Sequence, residues 1–209
     1  MDDDDTKSRE VKPEEAQFLE AILDWMRQKM GEPLLSGTEN DWTCIVTMHA
    51  MIETGLSGAL VKHFQSPELS RVIGRLNMSN TATGKIAFAK ALKILKPETI
   101  AFVRKLSELR NLCVHDVRNF KFDLNKHVAG LSVEKRNELM NPIWELVKPE
   151  AKSKVTPKLA LFVGTLTVMV DLYVHELGCL HRDLEAQVRE LQAQLFKQAK
   201  TEKPIATKE

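Results

Sequence analysis

The chain has 209 residues, of which 43% are hydrophobic, and 30 Lys and Arg against 29 Asp and Glu give it a formal net charge of +1. This length suits one sizeable core in a single domain. The near-neutral charge excludes a globally basic nucleic-acid-binding protein. Glycines and prolines are few, several prolines stand where helices could begin, and alternating β-branched runs are scarce. The composition therefore predicts an all-α protein.

The three cysteines, Cys44, Cys113 and Cys179, are an odd number and lie far apart in apolar helical contexts. We expect buried free thiols in a reducing compartment rather than a disulfide framework. The N-terminus reads Asp2 to Asp5, where a signal peptide would need a positive region and an apolar core. We therefore expect a cytoplasmic protein.

The sequence pattern predicts a disordered acidic arm over residues 1–12, followed by a helical bundle domain over 13–178. Pro13 opens a first helix that ends at Gly31. Asn40 or Asp41 caps a second helix. Its inward side carries Ile45, Met48, Ile52, Leu56, Leu60 and Phe64. Ser66-Pro67-Glu68 starts a short third helix with Leu69, Val72, Ile73 and Leu76 inward.

Two more helices follow a polar turn at 77–84. The fourth carries Ile86, Ala89, Leu92 and Leu95, and the fifth starts at Pro97 and carries Ile100, Val103, Leu106, Leu109 and Cys113. From 116 to 130 the apolar periodicity fails, which predicts a loop. Ser132 caps another helix, which Pro142 restarts or kinks. The chain thus predicts a bundle of about six to seven helices.

Thr156-Pro157 opens the longest helix. Its apolar run, 159–170, is interrupted by Asp171, His175 and Glu176 before it reaches the roughly 20 residues of a membrane span, so we expect a buried bundle helix and no membrane partner. Residues 179–209 predict an amphipathic helical extension with a frayed end. Its leucines recur at sevenfold spacing, which fits a coiled-coil partner or packing on its own bundle equally well: Leu177, Leu184, Leu191.

Residues 85–126 form a basic segment, in which ten bases stand against four acids and give a local charge of +6. Such a run is typical of a solvated helix face. It also surrounds Arg110 and His115, which lie five residues apart near the predicted end of the fifth helix. Arginine holds phosphate with a planar fork of donors, and histidine changes protonation near neutrality. The basic segment therefore also fits a phosphate-binding surface.

On a helix, positions four apart share a face, so Asn111 lines up with His115 while Arg110 lies to the side. RNA supplies its own 2′-hydroxyl nucleophile, so a charge stabiliser and a proton acceptor can suffice without a metal. Asp116 could fix the tautomer of His115. In the alternative reading, Arg110 pairs with Glu53 or Asp116, and His115 only caps the helix C-terminus.

The other histidines predict no metal site. His49 and Glu53 form a helix pair, His175 and His181 are six residues apart, and no arrangement assembles three plausible zinc ligands. A glycine-rich phosphate loop and a serine elbow are missing from the sequence. We therefore expect neither a metal nor a cofactor.

The stretch Arg110-Asn111 followed by His115 after a two-helix run resembles the signature of HEPN domains, the higher eukaryotes and prokaryotes nucleotide-binding superfamily. The family motif is Arg, four to six residues, His. Within it, the chain is similar to mannitol operon repressor-like proteins through residues 85–95, through 106–116, and through His49-Ala50-Met51-Ile52-Glu53 upstream. The resemblance covers roughly residues 40–177.

The resemblance implies an all-α bundle that forms a homodimer with the motifs of two protomers facing one cleft. It further implies either a metal-independent endoribonuclease, in the manner of toxins paired with an antitoxin, or a non-catalytic transcriptional regulator that acts through a protein partner. By position, Arg110 would stabilise the phosphorane, His115 would shuttle the proton and Asn111 would orient the RNA. Glu53 is a weaker candidate for a supporting acid. A purely structural bundle is the third hypothesis.

Overall fold

The computed structural model describes residues 40–115, 120–149, 152 and 155–201, together with Gln17, Glu20 and Asp24. Those three N-terminal residues are helical and exposed, but the rest of the predicted first helix and the acidic arm lie outside the described residues. The described ranges contain seven α-helices, short 3-10 segments and no strand. The all-α prediction is therefore confirmed.

The helices agree with most of the predicted starts and stops. In chain order they are α1 (Asp41–Phe64), α2 (Ser70–Arg75), α3 (Lys85–Ala91), α4 (Pro97–Val114), α5 (Leu124–Gly130), α6 (Val133–Glu145) and α7 (Pro157–Thr201), with the 3-10 turn at Pro67–Leu69 between α1 and α2. Ser132 caps α6 by accepting from the Lys135 amide. Pro142 lies inside α6, which runs through it without a break.

The loop prediction for 116–130 is wrong over its second half, where α5 forms. Asp123 caps this helix by accepting from the Lys126 amide, and the one-turn pair Leu124 and Val128 is buried. Two inward assignments are also wrong, because Phe64 is 38% and Val72 is 59% exposed. Phe64 is the last residue of α1, and Val72 lies in the short helix α2. Fewer neighbouring residues therefore cover these two apolar side chains.

The chain divides into two compact units. Unit 1 comprises residues 1–51 and 101–166, and unit 2 comprises 52–100 and 167–209, so α1, α4 and α7 contribute residues to both. The core of unit 1 is drawn from five helices: Ile45, Met48, Phe102, Val103, Leu106, Leu109, Leu124, Met140, Ile143 and Leu161 are among its buried side chains. The buried hydroxyls of Ser107 and Thr165 donate to carbonyls four residues earlier in their own helices, which satisfies them without a tertiary partner.

Phe102 on α4 and Gly164 on α7 lie in close contact in unit 1. A Cβ at position 164 would lie 2.2 Å from Cε2 of Phe102, far inside van der Waals distance. Since Phe102 is fully buried, its ring has no open space into which it could swing. The glycine therefore fixes how near α4 and α7 can approach each other.

The core of unit 2 contains the buried Lys85 as well as apolar side chains such as Ile52, Leu56 and Leu60. Lys85, at the start of α3, is only 1% exposed, and its Nζ lies 2.8 Å from Oε1 of Glu53. The same Nζ donates to the carbonyl of Gly74 at 3.4 Å. A buried ammonium group needs such partners, so this contact fixes α3 against α1.

Two of the three polar residues that interrupt the apolar run of α7 have partners in unit 2. Oδ2 of Asp171 accepts from the hydroxyl of Thr99 at 2.9 Å, and His175 contacts His63. Such partners satisfy polar groups in a protein interior.

Among the described residues, two helices are long and apolar enough to cross a membrane by length and composition alone, namely α1 and residues Pro157–Gln194 of α7. Within their most apolar windows, 44% and 33% of the residues are buried. Core helices of soluble proteins pass the same test, so the finding does not distinguish a membrane-spanning helix from a buried core helix. The cytoplasmic location stays a prediction.

We expect Gly164→Ala to lower the free energy of unfolding by about 1–3 kcal/mol, because the added methyl overpacks a core contact. Chemical denaturation measures this change. Gly74→Ala on α2 is the matched control, since nothing lies within 4 Å of its added Cβ, and there alanine should be neutral or stabilising by up to about 1 kcal/mol. Equal effects of the two substitutions would contradict the packing account.

Candidate functional site

Arg110, Asn111 and His115 lie where α4 ends, in unit 1. Arg110 and Asn111 belong to the last turns of the helix, and His115 is the residue that follows Val114. Arg110 is half-buried, and Asn111 and His115 are exposed. The opposite side of the same helix is buried as predicted, through Leu106, Leu109 and Cys113. The amphipathic pattern of α4 thus directs this polar set away from the core.

Asn111 connects the other two residues. Nη1 of Arg110 donates to Oδ1 of Asn111 at 3.1 Å, and the backbone amide of His115 donates to the carbonyl of Asn111 at 3.1 Å. The second bond extends the helical hydrogen-bond pattern by one residue, so His115 stays on the Asn111 face. Arg110 contributes two further guanidinium nitrogens, which a phosphate could use.

The end of α4 is held by the start of α1. The indole Nε1 of Trp42 donates to the carbonyl of Cys113 at 2.9 Å, one of the C-terminal carbonyls that a helix cannot satisfy internally. The ring of Trp42 also packs 5.6 Å from that of Phe120, and Asn40 donates through Nδ2 to the Phe120 carbonyl. The contacts at Cys113 and at Phe120 therefore lie before and after His115 in the sequence.

Asp41 fixes two further elements near this end. One carboxylate oxygen accepts from the Leu124 amide at 2.8 Å, and the other lies 3.0 Å from Nζ of Lys158. Burial, together with the charge of Asp41, raises the pKa of the Cys113 thiol to about 11. A raised pKa of this kind is typical of a buried structural thiol and not of a nucleophilic cysteine.

The two supporting acids predicted for the site do not join it in the described structure. Glu53 belongs to unit 2, where it forms the ion pair with Lys85. Asp116 lies outside the described residues. Of the alternative partners considered for Arg110, the described contact is with neither acid but with Asn111.

The basic segment 85–126 is divided in the structure. Its first four lysines belong to unit 2, and its later residues, including Arg104 and Lys121, belong to unit 1. Acids offset several of the charges: Lys85 pairs with Glu53, Lys105 with Glu108 and Glu138, and Lys126 with Asp123. Exposed Arg104 and Lys121 remain with Arg110 in unit 1, so the local positive charge there is smaller than the sequence count indicates.

A second polar cluster, in unit 2, was missed by the sequence analysis. His63 on α1 meets His175 and Cys179 on α7, and the nearest ligand atoms of all three lie within 4.8 Å of one another. The i, i+4 spacing of His175 and Cys179 was the available signal, because it puts both on one helix face. The third residue comes from 112 positions away, which no local pattern indicates.

Comparisons with protein families, with curated proteins and with solved structures each find no match. The likeness to HEPN domains consequently rests on the sequence motif itself, and the activity, the partners and the dimer that it implies are proposals.

Proposed function

We propose that the chain binds single-stranded RNA at Arg110, Asn111 and His115 and cleaves it without a metal ion. The observation that carries the proposal is the arrangement at the end of α4. Arg110 is hydrogen-bonded to Asn111, and Asn111 and His115 are exposed on one helix face. A permanent cation, a neutral amide and an imidazole thus form one continuous polar surface.

Phosphate is the ligand that this surface suits. Arginine donates to two phosphate oxygens at once, and charge-assisted bonds of this kind are about twice as strong as neutral ones. Asn111 can donate through Nδ2 while its Oδ1 holds Arg110. Exposed Arg104 and Lys121 in the same unit add favourable long-range charge for a polyanion.

The cleavage step requires only these residues and the RNA. His115 takes the proton from the 2′-hydroxyl, whose oxygen attacks the adjacent phosphorus, and the bond from phosphorus to the 5′ oxygen breaks. The imidazolium returns the proton to the 5′ oxygen, so the products are a 2′,3′-cyclic phosphate and a 5′-hydroxyl. Arg110 stabilises the additional negative charge on the phosphorane oxygens.

We further propose that two copies of the chain associate through α7. Four apolar side chains at spacings of four, four and three residues are exposed on it by 44–57%: Leu180, Leu184, Val188 and Leu191. An exposed apolar row at this spacing is typical of a helix that packs against another helix. Dimerisation would bring two motifs into one assembly, as the HEPN resemblance implies.

The second candidate function is a non-catalytic regulator that acts through a protein partner. The same exposed row on α7 favours it, because the row could bury against a foreign helix. The partial neutralisation of the basic segment also favours it. RNA cleavage and RNA binding, measured separately, distinguish the two functions.

With the full chain in excess chelator, we expect single-stranded RNA to be cut to fragments that end in a 2′,3′-cyclic phosphate. His115→Ala should slow cleavage by at least about 100-fold, the usual contribution of a general acid-base group. Arg110→Ala should slow it by about 100-fold or more, because phosphorane charge is left unstabilised. Fragment analysis on sequencing gels measures both rates.

Exposed His181 on α7 and exposed Arg71 on α2 provide matched controls, and His181→Ala and Arg71→Ala should leave the maximal rate unchanged. A 2′-O-methyl RNA, which lacks the nucleophile, measures binding alone by fluorescence anisotropy. Arg110→Ala should weaken that binding and His115→Ala should not. Cleavage that is absent, or that survives His115→Ala, overturns the catalytic proposal, and Arg110-independent binding overturns the RNA-binding proposal.

The dimer is tested by light scattering coupled to size exclusion at micromolar concentration. The parent chain should be a dimer, and the pair Leu184→Glu and Leu191→Glu should be monomeric because four charges would face each other across the interface. Ala186→Glu with Ala193→Glu adds the same charges at the same spacing on another side of α7 and should remain dimeric. A monomeric parent chain would refute the association.

A further inference from the structure

We propose that His63, His175 and Cys179 form a zinc-binding site. The three side chains converge within unit 2, His63 from α1 and the other two from successive turns of α7. Nδ1 of His63 lies 3.1 Å from Nε2 of His175, and Sγ of Cys179 lies 3.5 Å from the same Nε2. This site is separate in residues and in chemistry from the proposed RNA site.

These two distances fit two edges of a zinc coordination tetrahedron. With Zn–N of about 2.0–2.1 Å and Zn–S of about 2.3 Å, two nitrogens lie about 3.4 Å apart and a nitrogen and a sulfur about 3.6 Å apart. The two shorter separations in the cluster are close to these values, and the third is within 4.8 Å. Binding would need shifts of only a few tenths of an ångström in the close pairs.

The donor set also suits zinc chemically. Two imidazoles and one thiolate are borderline to soft ligands, which favour zinc over magnesium or calcium. Metal binding uses the neutral imidazole form of each histidine and the thiolate form of the cysteine.

Cys179 has the surroundings of a ligand rather than of a simple core residue. Its side chain is 2% exposed, and Nη2 of Arg182 lies 3.2 Å from its sulfur. A guanidinium donor can stay as an outer partner of the sulfur after the metal binds. Because Arg182 is itself exposed, its charge is partly screened by solvent and opposes the metal ion less than a buried cation would.

Three protein ligands leave one position of the tetrahedron for water or for an external group. Zinc would join α1 to α7 within unit 2, so we assign it a stabilising role with one exchangeable position. The proposed RNA cleavage uses no metal, and its assay contains excess chelator. Failure of the zinc site and failure of the RNA proposal are therefore observed separately.

The test uses the full chain, stripped with chelator and kept reduced, and titrated with Co²⁺ as a spectroscopic probe. We expect one Co²⁺ per chain, with the strong visible absorption of tetrahedral cobalt and a thiolate-to-cobalt charge-transfer band. One equivalent of Zn²⁺ should displace it. Added Zn²⁺ should also raise the melting temperature of the parent chain by several degrees.

Cys179→Ala should abolish the charge-transfer band and weaken zinc binding by more than about 100-fold, since even outer-shell partners contribute 10–100-fold. His63→Gln and His175→Gln should weaken binding comparably, whereas His181→Gln, an exposed histidine on α7, should not. Circular dichroism checks that each variant is folded. A parent chain that shows no cobalt bands, or bands that survive Cys179→Ala, overturns the site, and the parent titration decides even if a variant fails to fold.

Discussion

Phe102 lies so close to Gly164 that a methyl group at position 164 would come within 2.2 Å of the ring. This contact sets the separation of α4 and α7 in unit 1, because the Phe102 ring is fully buried and Gly164 has no side chain that could move aside. Residues 103–109 then continue α4 along the core, with Val103, Leu106 and Leu109 buried. The position of the polar end of α4 follows from this packing.

Contacts from the start of α1 hold that end of α4 and the start of α5. The Trp42 indole satisfies the Cys113 carbonyl, and Asp41 joins the start of α5 to Lys158. The described contact of Arg110 is with the neutral Asn111, so this partner does not neutralise its charge. The ion pairs of Lys105 with Glu108 and Glu138 offset positive charge on the same helix. The proposed RNA contact is therefore confined to a few residues at the end of α4.

Most of the fold could be predicted because caps and 3.6-residue periodicity are local properties. The capping positions before α1 and α6 and the prolines that begin α4 and α7 all stand where the structure begins its helices. Helix α5 was missed because seven residues with two buried apolar positions give too little periodicity, although Asp123 was a capping signal. Contacts between distant segments had no local signal at all: the burial of Lys85 on Glu53, and the meeting of His63 with His175 and Cys179.

The central claim is that RNA contacts the end of α4, and cross-linking maps that contact directly. A single-stranded RNA that contains 4-thiouridine is irradiated with the full chain in chelator, and the cross-linked peptides are identified by mass spectrometry. The account predicts that cross-links concentrate on the tryptic peptide 111–118, which contains Asn111 and His115, and that Arg110→Ala removes them. Cross-links confined to other helices, or unchanged by Arg110→Ala, would contradict it.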